Sequence, residues 1–548
     1  MKVFERIADA FVAEGTRAVF TLIGDGNMFW LNAMNERGVQ LINVRHEGAG
    51  LGMADGWARA TREVGVASTT NGPGVPQLAT ALITATRAAS PVVVFVGESE
   101  TNHPEHIQRM DQAAMCKACE AEYVRIESPE TVDWAVQTAF HIARTQSKSV
   151  VLACPRDIQK KKFENDDERY APSYNLLPKI PRAPSVEAVQ AATDLIVSAG
   201  KVVIVVGRGA IWSESGAAVR RLAAQCGALI ATTMQAQTFL AEDEFHVGIS
   251  GLFGTRTAIQ LFAEADLVIG VGASLNPYTI SHGYIYPNAR FVQVDVAQDP
   301  VMGEGRTADV HVQADAKIGV EKLVAELDRR GFFNKGYRSP EVKARLVRHA
   351  DDPGTFDIEP GHLDPREVCT LLDEMLPSDC VVHSGSGTSA SFPTMHLNRP
   401  RFFLSGKFWA CIGQSLPSAI GAAAALSRPV ALLEGDGSFM MHLAEMETSV
   451  RYKLPLLAVV LNDQALGSEY HKLIQAGLPP TVAECGSPDL GAVMRAFGGR
   501  GTLATKIEHV RVAVQEWLTN PVPTIIDARI SRNVSTIQHR RTRQGLDV

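Results

Sequence analysis

Short, continuous apolar runs recur along this chain, and helical patterns separate them. The clearest runs occupy residues 92–96, 150–153, 202–206, 267–271, 291–294, 430–433 and 456–461. Strands that are buried on both faces have this composition, and they occur in parallel sheets whose crossover helices cover both faces. The pattern therefore predicts an α/β protein built from doubly wound parallel sheets.

The length of the chain, 548 residues, exceeds what one hydrophobic core accommodates, so several domains are expected. Two polar stretches, 159–184 and 336–360, have the composition of linkers. They divide the chain into three predicted α/β domains, at residues 1–165, 185–335 and 360–535. The first stretch contains a lysine run, 160–162, which we interpret as a solvated face.

Charge and composition exclude several classes of protein. With 45% hydrophobic and 21% charged residues, the chain has the composition of a well-packed globular protein. Its net charge of -7 provides no basic surface for nucleic acid or for an anionic membrane. Residues 1–20 lack the apolar segment of a secretory signal, and the apolar stretch 419–426 is too short to span a membrane. We expect a cytoplasmic protein without nucleic-acid or membrane partners.

Acidic and glycine residues follow two of the predicted strands in the third domain. The strand at 431–434 leads into Gly435, Asp436, Gly437 and Ser438, and the next strand leads into Asn462 and Asp463. Glycines let the backbone approach a diphosphate closely, and a helix that starts after Ser438 would direct free N–H groups toward it. Asp436 and Asp463 offer the hard oxygen ligands that Mg²⁺ prefers and usually shares with phosphates. The motif predicts a site for a diphosphate and Mg²⁺.

The spacing of this motif, with 24 residues between Gly437 and Asn462, is that of thiamine diphosphate enzymes. Two further segments, 44–60 and 406–421, complete the similarity. The chain resembles the 2-oxo acid decarboxylase and acetolactate synthase superfamily over most of its length. The resemblance implies that the three domains are a pyrimidine-binding, a middle and a diphosphate-binding domain.

The resemblance also implies roles for individual residues. Glu47 would contact the aminopyrimidine ring of the cofactor, where a carboxyl group at N1′ helps the exocyclic nitrogen act as a base. Ile412 would be the aliphatic wedge that bends the cofactor, and Ala410 would offer a backbone carbonyl to its amino group. The remaining cofactor contacts and the third metal ligand would come from Asn71, Gly72, Ser386, Gly387, Thr388, Ser389 and the carbonyl of Ala465. Without the resemblance, Glu47 would be a surface or capping residue and Ile412 a core residue.

One position departs from the pattern of the superfamily. Most of its members have an asparagine where this chain has Asp463. The carboxylate adds negative charge beside an anionic diphosphate, and Mg²⁺ accepts it as a ligand. We therefore expect cofactor binding to depend strongly on the metal.

The residues around the reacting carbon leave several reactions open. Asp25 and Glu469 align with the catalytic acids of the decarboxylases, where burial would raise their pKa values. On structural grounds alone, Asp25 would be a turn residue and Glu469 a solvated helix position. Gln108 occupies the position of an active-site glutamine of the acetolactate synthases, and the consecutive histidines of the simple pyruvate decarboxylases are missing. We predict 2-oxo acid decarboxylation, acetolactate synthase-like carboligation, or both. A 1,2-diketone or acyloin lyase or hydrolase, and a non-catalytic regulatory or binding paralogue, remain alternatives.

Further expectations concern a second cofactor and the assembly. Flavin-bearing relatives have an arginine after the strand at 267–271, where this chain reads Gly-Ala-Ser-Leu-Asn, so we predict no FAD. The glycine pair at 207–209 is interpreted as a tight strand-to-helix connection. The resemblance implies a homodimer or homotetramer whose sites lie between the pyrimidine-binding domain of one subunit and the diphosphate-binding domain of another. The substrate would be a small 2-oxo acid or a diketone.

Overall fold

The computed structural model describes residues 1–164, 169–299, 301–346, 352 and 354–544. Three six-stranded parallel sheets, each covered by helices, account for most of this part of the chain. Each of the seven apolar runs singled out in the sequence forms a strand in one of these sheets. The predicted α/β class with three doubly wound parallel sheets is confirmed.

The first sheet has the strand order β2-β1-β3-β4-β6-β5. Its strands are β1 (Ala18–Thr21), β2 (Gln40–Asn43), β3 (Gly65–Thr69), β4 (Val92–Glu98), β5 (Glu122–Arg125) and β6 (Ser149–Pro155). The helices of this domain are α1 (Val3–Ala13), α2 (Met28–Glu36), α3 (Glu47–Thr61), α4 (Ala79–Arg87), α5 (Gln112–Ala118), α6 (Val132–Gln146) and α7 (Arg156–Gln159). The predicted domain end, residue 165, lies outside the described residues.

The second sheet has the order β14-β11-β10-β7-β8-β9. A separate antiparallel pair, β12 with β13, occurs in the sequence between β11 and β14. The strands are β7 (Val202–Val206), β8 (Leu229–Thr232), β9 (His246–Ile249), β10 (Leu267–Val271), β11 (Arg290–Asp295), β12 (Val301–Gly303), β13 (Arg306–Thr307) and β14 (Val310–Gln313). The helices are α8 (Val186–Ser198), α9 (Arg208–Trp212), α10 (Gly216–Cys226), α11 (Arg256–Ala263), α12 (Pro277–Ile280), α13 (Ala316–Arg329) and α14 (Pro340–Arg345).

The third sheet has the order β16-β15-β17-β18-β20-β19. The strands are β15 (Val381–Ser384), β16 (Phe402–Ser405), β17 (Val430–Gly435), β18 (Leu456–Asn462), β19 (Arg500–Ala504) and β20 (Thr524–Arg529). The helices are α15 (Pro365–Met375), α16 (Ser391–His396), α17 (Ser415–Ala425), α18 (Asp436–Met440), α19 (Glu445–Arg451), α20 (Gly467–Gln475), α21 (Leu490–Ala496), α22 (Ile507–Thr519) and α23 (Ile537–Gln544). Within the described residues, no helix has both the length and the apolar composition that crossing a membrane requires.

The polar stretch after the first domain packs back onto that domain. Tyr170 and Ser173 are buried, and the Tyr170 hydroxyl and the Ser173 amide both donate to Glu14 Oε1, each over 2.7 Å. The lysine run at 160–162 is exposed, as the solvated-face interpretation predicts. The described part of this stretch, whose composition is typical of a linker, is therefore attached to the first domain.

The first and third domains are joined by close packing of α3 against α17. A Cβ atom added at Gly56 would overlap the carbonyl oxygen of Ser418, and one added at Gly421 would overlap that of Met53. Glycine at both positions lets the two helix backbones touch directly, and most residues of both helices are buried. The helix pair fixes how the first and third sheets are oriented within one chain.

This packing predicts a large effect of one added methyl group. Gly421→Ala places a Cβ against backbone that cannot rotate away, so overpacking of about 3 kcal/mol is expected, which lowers the thermal midpoint of unfolding by roughly 3 °C. Gly200→Ala is the control, because its Cβ would meet only Asp266 Oδ2, at 3.3 Å. Scanning calorimetry of both variants tests the packing, and equal midpoints for the two would contradict it.

Candidate active site

The carboxyl ends of three neighbouring strands in the third sheet bring the predicted diphosphate and metal residues together. The loop after β15 contains Ser386, Gly387, Thr388 and Ser389. Gly435 ends β17, Asp436, Gly437 and Ser438 begin α18, and the loop after β18 contains Asp463 and Ala465. A Cβ added at Gly435 would lie 3.1 Å from Ser389 Oγ. One added at Gly467 would lie 2.6 Å from Asp463 Oδ2 and 3.5 Å from Thr388 Cβ. Ligands of open parallel sheets bind at this edge.

The two aspartates of this edge are buried and electrostatically coupled. Burial, and then the charge of Asp463, raise the pKa of Asp436 to about 7, and burial raises the pKa of Asp463 to about 6. Asp436 Oδ1 is buried and has no hydrogen-bond partner within the described part of the chain. Two adjacent buried carboxylates with an unpartnered oxygen require a proton or a cation. This geometry fits a divalent cation.

The set of ligands is small. No group of three or more His, Cys, Asp and Glu side chains suited to a metal occurs among the described residues. A cation held by Asp436 and Asp463 would need further oxygens, and a Cβ added at Gly437 would lie 4.0 Å from the carbonyl oxygen of Ala465. Mg²⁺ commonly completes its shell with phosphate oxygens and water. Asn462 is engaged elsewhere, because its amide donates to Asp527 Oδ1 over 2.8 Å and to Ser487 Oγ over 3.1 Å.

Glu434, which the sequence analysis did not single out, lies directly before this motif. Its carboxyl group accepts a hydrogen bond from Ser438, and Ser438 Oγ accepts one from the Gly413 amide over 2.8 Å. Burial raises the pKa of Glu434 to about 7. The chain of contacts connects the end of β17 to the loop that contains Ile412. The sequence contained one signal for this residue, a glutamate within an otherwise apolar strand.

The loop after β16 contains Ala410 and Ile412. Trp409 and Ala410 both have left-handed backbone conformations, with φ of 55° and 51°. Two consecutive non-glycine residues in this region store strain, which persists where the surrounding structure imposes it. Ala410 is exposed and Ile412 is half-buried in the single chain, so both are accessible to a ligand.

Glu47 is the first residue of α3 and is half-buried. The N-cap is His46, whose Nδ1 accepts from the Gly48 amide over 3.0 Å, so Glu47 is not the capping residue. Glu445 of the third domain accepts hydrogen bonds from the amides of Arg45, over 2.9 Å, and His46, over 3.0 Å. Glu445 is buried, and burial raises its pKa. This carboxyl group, also missed in the sequence, holds the segment that leads into Glu47.

A second group of predicted residues lies at the carboxyl ends of β1, β3 and β4. Asn71 Nδ2 donates to Gln108 Oε1 over 3.1 Å, while the buried Asn71 Oδ1 has no partner in the described part of the chain. Gly72 has φ of 68°, and an added Cβ would overlap the backbone carbonyl of Gln108. The Asp25 loop joins them, since a Cβ added at Gly26 would lie 2.7 Å from Asn71 Oδ1.

The two predicted acids are exposed in the single chain. Asp25 has a side chain 62% exposed, 3.8 Å from Arg156, and Glu469 has one 56% exposed, 3.2 Å from Lys472. The burial expected around them is not supplied by this chain alone.

Three family models match the chain along its length. They are the N-terminal TPP binding domain of thiamine pyrophosphate enzymes at residues 1–115, the central domain at 189–323 and the C-terminal TPP binding domain at 384–528. The chain belongs to the thiamine pyrophosphate enzyme family. The family confirms the resemblance seen in the sequence. The central match spans all six strands of the second sheet, the N-terminal match spans β1 to β4 of the first sheet, and the C-terminal match lies within the third sheet.

The individual relatives are distant but cover nearly the whole chain. A sulfoacetaldehyde acetyltransferase of Castellaniella defragrans is 27% identical, over 97% of this chain and 92% of that protein. The acetolactate synthase large subunit of Parasynechococcus marenigrum is 29% identical, over 96% and 87%. The acetolactate synthase isozyme 2 large subunit of Escherichia coli is 27% identical, over 96% and 94%.

The aspartate pair predicts how stability depends on pH when divalent cations are removed. Both folded pKa values lie above those of an unfolded aspartate, so the folded chain holds protons that the unfolded chain releases. The contribution of the pair to stability is therefore lost as the pH rises from about 4 to about 7. Thermal midpoints in chelator should fall over this window, and less in Asp463→Asn, which lacks one charge. An identical fall in both proteins would contradict the coupling.

Proposed function

We propose that this protein is a thiamine diphosphate- and Mg²⁺-dependent enzyme that cleaves or forms a C–C bond next to a carbonyl. The reaction is 2-oxo acid decarboxylation, acetolactate synthase-like carboligation, or both. The observation that carries the proposal is the coupled, buried pair Asp436 and Asp463 beside the loop 386–389, at the carboxyl end of the third sheet. The names of the relatives, acetolactate synthase and sulfoacetaldehyde acetyltransferase, support a carbonyl substrate.

The residues divide between the two ends of the cofactor. Asp436, Asp463 and the Ala465 carbonyl would hold Mg²⁺, and the loop 386–389 with Gly435, Gly437 and Ser438 would hold the diphosphate. Ala410, Ile412, Asn71, Gly72 and Glu47 would hold the ring half. When bound, thiamine diphosphate supplies a nucleophilic carbon and an electron sink.

The side chains of this chain would then handle protons and orientation. Glu47 would hold a proton at N1′ of the pyrimidine ring, and Glu445 would fix the segment that presents it. Asp25 and Glu469 would exchange protons with the substrate oxygen and carbon, while Gln108, oriented by Asn71, would donate hydrogen bonds. Exclusion of water would require that the exposed acids become covered.

We infer that a second copy of the chain supplies this cover, in a homodimer or homotetramer. Loops at the carboxyl ends of the first and third sheets expose large apolar side chains: Ile23, Ile107, Trp409, Met441 and Leu466. These loops also contain or adjoin the predicted site residues of both domains. Pairing the first domain of one copy with the third domain of another would bury the apolar side chains and enclose Asp25 and Glu469.

The remaining expectations stay predictions. They are a 2-oxo acid or diketone substrate, a cytoplasmic location and no FAD. The glycines at 207 and 209 pack on the backbone of Gly272, since the Gly209 amide donates to the Gly272 carbonyl over 3.0 Å. This contact gives the glycine pair a packing role in the strand-to-helix connection.

The role of Glu47 predicts a selective loss of turnover. Glu47→Gln should bind thiamine diphosphate and Mg²⁺ with affinity within about threefold of the wild type, yet lose about 10²–10⁴-fold in turnover because an amide cannot exchange the proton. Substrates come from a screen of 2-oxo acids and 1,2-diketones for CO₂ release and carboligation products. Glu36→Gln, an exposed carboxyl on α2, is the control. A wild type that binds the cofactor without exchanging its C2 proton would instead indicate the non-catalytic paralogue.

The shared site predicts complementation between two inactive variants. In a mixed dimer of Glu47→Gln and Asp436→Ala, one of the two sites combines an intact Glu47 with an intact Asp436. An equimolar mixture should regain up to about a quarter of wild-type activity after subunit exchange, because about half of the dimers are mixed.

A matched control uses two defects in one domain. Asp436→Ala mixed with Asp463→Ala should regain no activity, since every site in that mixture keeps a damaged third domain. Subunit exchange is verified by mass spectrometry of differently tagged chains. Exchange without any recovery in the first mixture would show that each chain builds its own site.

A further inference from the structure

Lys407 is a cation without an acidic partner next to the candidate site. It is half-buried, and among the described residues no carboxylate forms an ion pair with its ammonium group. Its Nζ donates to Thr394 Oγ1 over 2.9 Å and lies 4.2 Å from the centre of the Phe253 ring. Burial lowers the pKa of Lys407 to about 7. A positive charge held in this way costs stability unless an anion offsets it.

The position of Lys407 connects it to the site. It follows β16 and precedes Ala410 and Ile412 in the same loop. Thr394 belongs to α16, which starts directly after the loop 386–389, and the Ser391 amide donates to the Thr388 carbonyl over 2.8 Å. The ammonium group is thus bonded to the helix that continues the predicted diphosphate loop.

The second domain and the C-terminal helix complete the surroundings of the ammonium group. Phe253 belongs to the segment after β9 in the second domain. On either side of it, the carbonyls of Leu252 and Gly254 accept hydrogen bonds from Arg541 Nη1, over 2.9 and 2.5 Å. Arg541 is part of α23. Three separate parts of the chain therefore hold an aromatic face, a hydroxyl group and an ammonium group together.

The nature of the reaction decides which anion this cation suits. If the ammonium paired with a carboxylate that leaves as CO₂, it would stabilise the ground state, in which that carboxylate is charged. In the transition state the charge moves away from the carboxylate, so the pairing would weaken and the reaction would be slower. Pairing with an anionic group that survives the reaction carries no such penalty. A point cation on a flexible stem binds either a carboxylate or a sulfonate.

We propose that Lys407 Nζ binds the retained anionic group, a carboxylate or a sulfonate, of a substrate in the candidate site. The proposal rests on the proposed function, and it makes Lys407 a specificity-determining residue. It favours a substrate or acceptor that keeps an acidic group in the product. Thr394 and Phe253 orient the ammonium group.

The first experiment measures equilibrium binding. Propionate and ethanesulfonate are titrated by calorimetry into protein loaded with thiamine diphosphate and Mg²⁺. At least one should bind to the wild type, and that affinity should fall about 30-fold in Lys407→Met and recover in part in Lys407→Arg. The two probes distinguish a carboxylate from a sulfonate. Lys322→Met, an exposed lysine on α13, is the control.

The second experiment measures specificity during turnover. With pyruvate as donor, kcat/KM is compared for glyoxylate, an anionic acceptor, and acetaldehyde, a neutral one. Lys407→Met should lower the ratio of the two values about 30-fold, mainly through KM for glyoxylate. Removing an unpaired charge should also leave the thermal midpoint unchanged or higher, whereas a structural role would lower it.

The outcomes separate the two proposals. Equal binding of both probes by the wild type and Lys407→Met, with cofactor affinity intact, would overturn the role of Lys407 alone. Weaker binding of thiamine diphosphate by Lys407→Met, with the probes unaffected, would overturn it in favour of a diphosphate contact. A wild type that does not bind thiamine diphosphate with Mg²⁺ would overturn the proposed function itself.

Discussion

The direct backbone contact between α3 and α17 organises this protein. Gly56 and Gly421 remove the side chains that would separate the helices, so the first and third sheets are held in one orientation. One helix begins at a predicted site residue and the other close to one: α3 starts at Glu47, and α17 starts three residues after Ile412. Glu445 reinforces the arrangement with hydrogen bonds to the segment that leads into Glu47. The packing that stabilises one chain therefore also orients its two sets of site residues.

Charge is distributed unevenly around the third sheet. Asp436, Asp463 and Glu434 are buried acids whose pKa values are raised, and Lys407 is a cation whose pKa is lowered. Each of these pKa shifts shows that burial disfavours the charged form of the group, so these charges lower the stability of the isolated chain. A cation at the aspartates and an anion at Lys407 would offset both costs. The arrangement sacrifices stability for binding, as functional sites commonly do.

Much of the fold was predictable because its signals are local. A strand buried on both faces needs a continuous apolar run wherever it occurs, so 202–206 and 267–271 were located in the sequence to the residue. The glycines and acids at 435–438 and 462–463 were also recognisable, because turning at a strand end demands particular residue types at fixed spacing. The sequence thus determined the α/β class, the three sheets and the main residues at the carboxyl end of the third sheet.

Only the tertiary structure decided which distant residues share a contact. The hydrogen bonds from the Arg45 and His46 amides to Glu445, and the position of the Lys407 ammonium over Phe253, join residues far apart in the chain. No periodicity or spacing encodes such pairs, since they depend on how whole sheets and helices pack. Only the tertiary structure also shows which acids are buried. Burial raises the pKa values of Asp436, Asp463 and Glu434, whereas Asp25 and Glu469 are exposed in the single chain. Desolvation is a property of the three-dimensional surroundings, which a residue's type and neighbours in sequence do not specify.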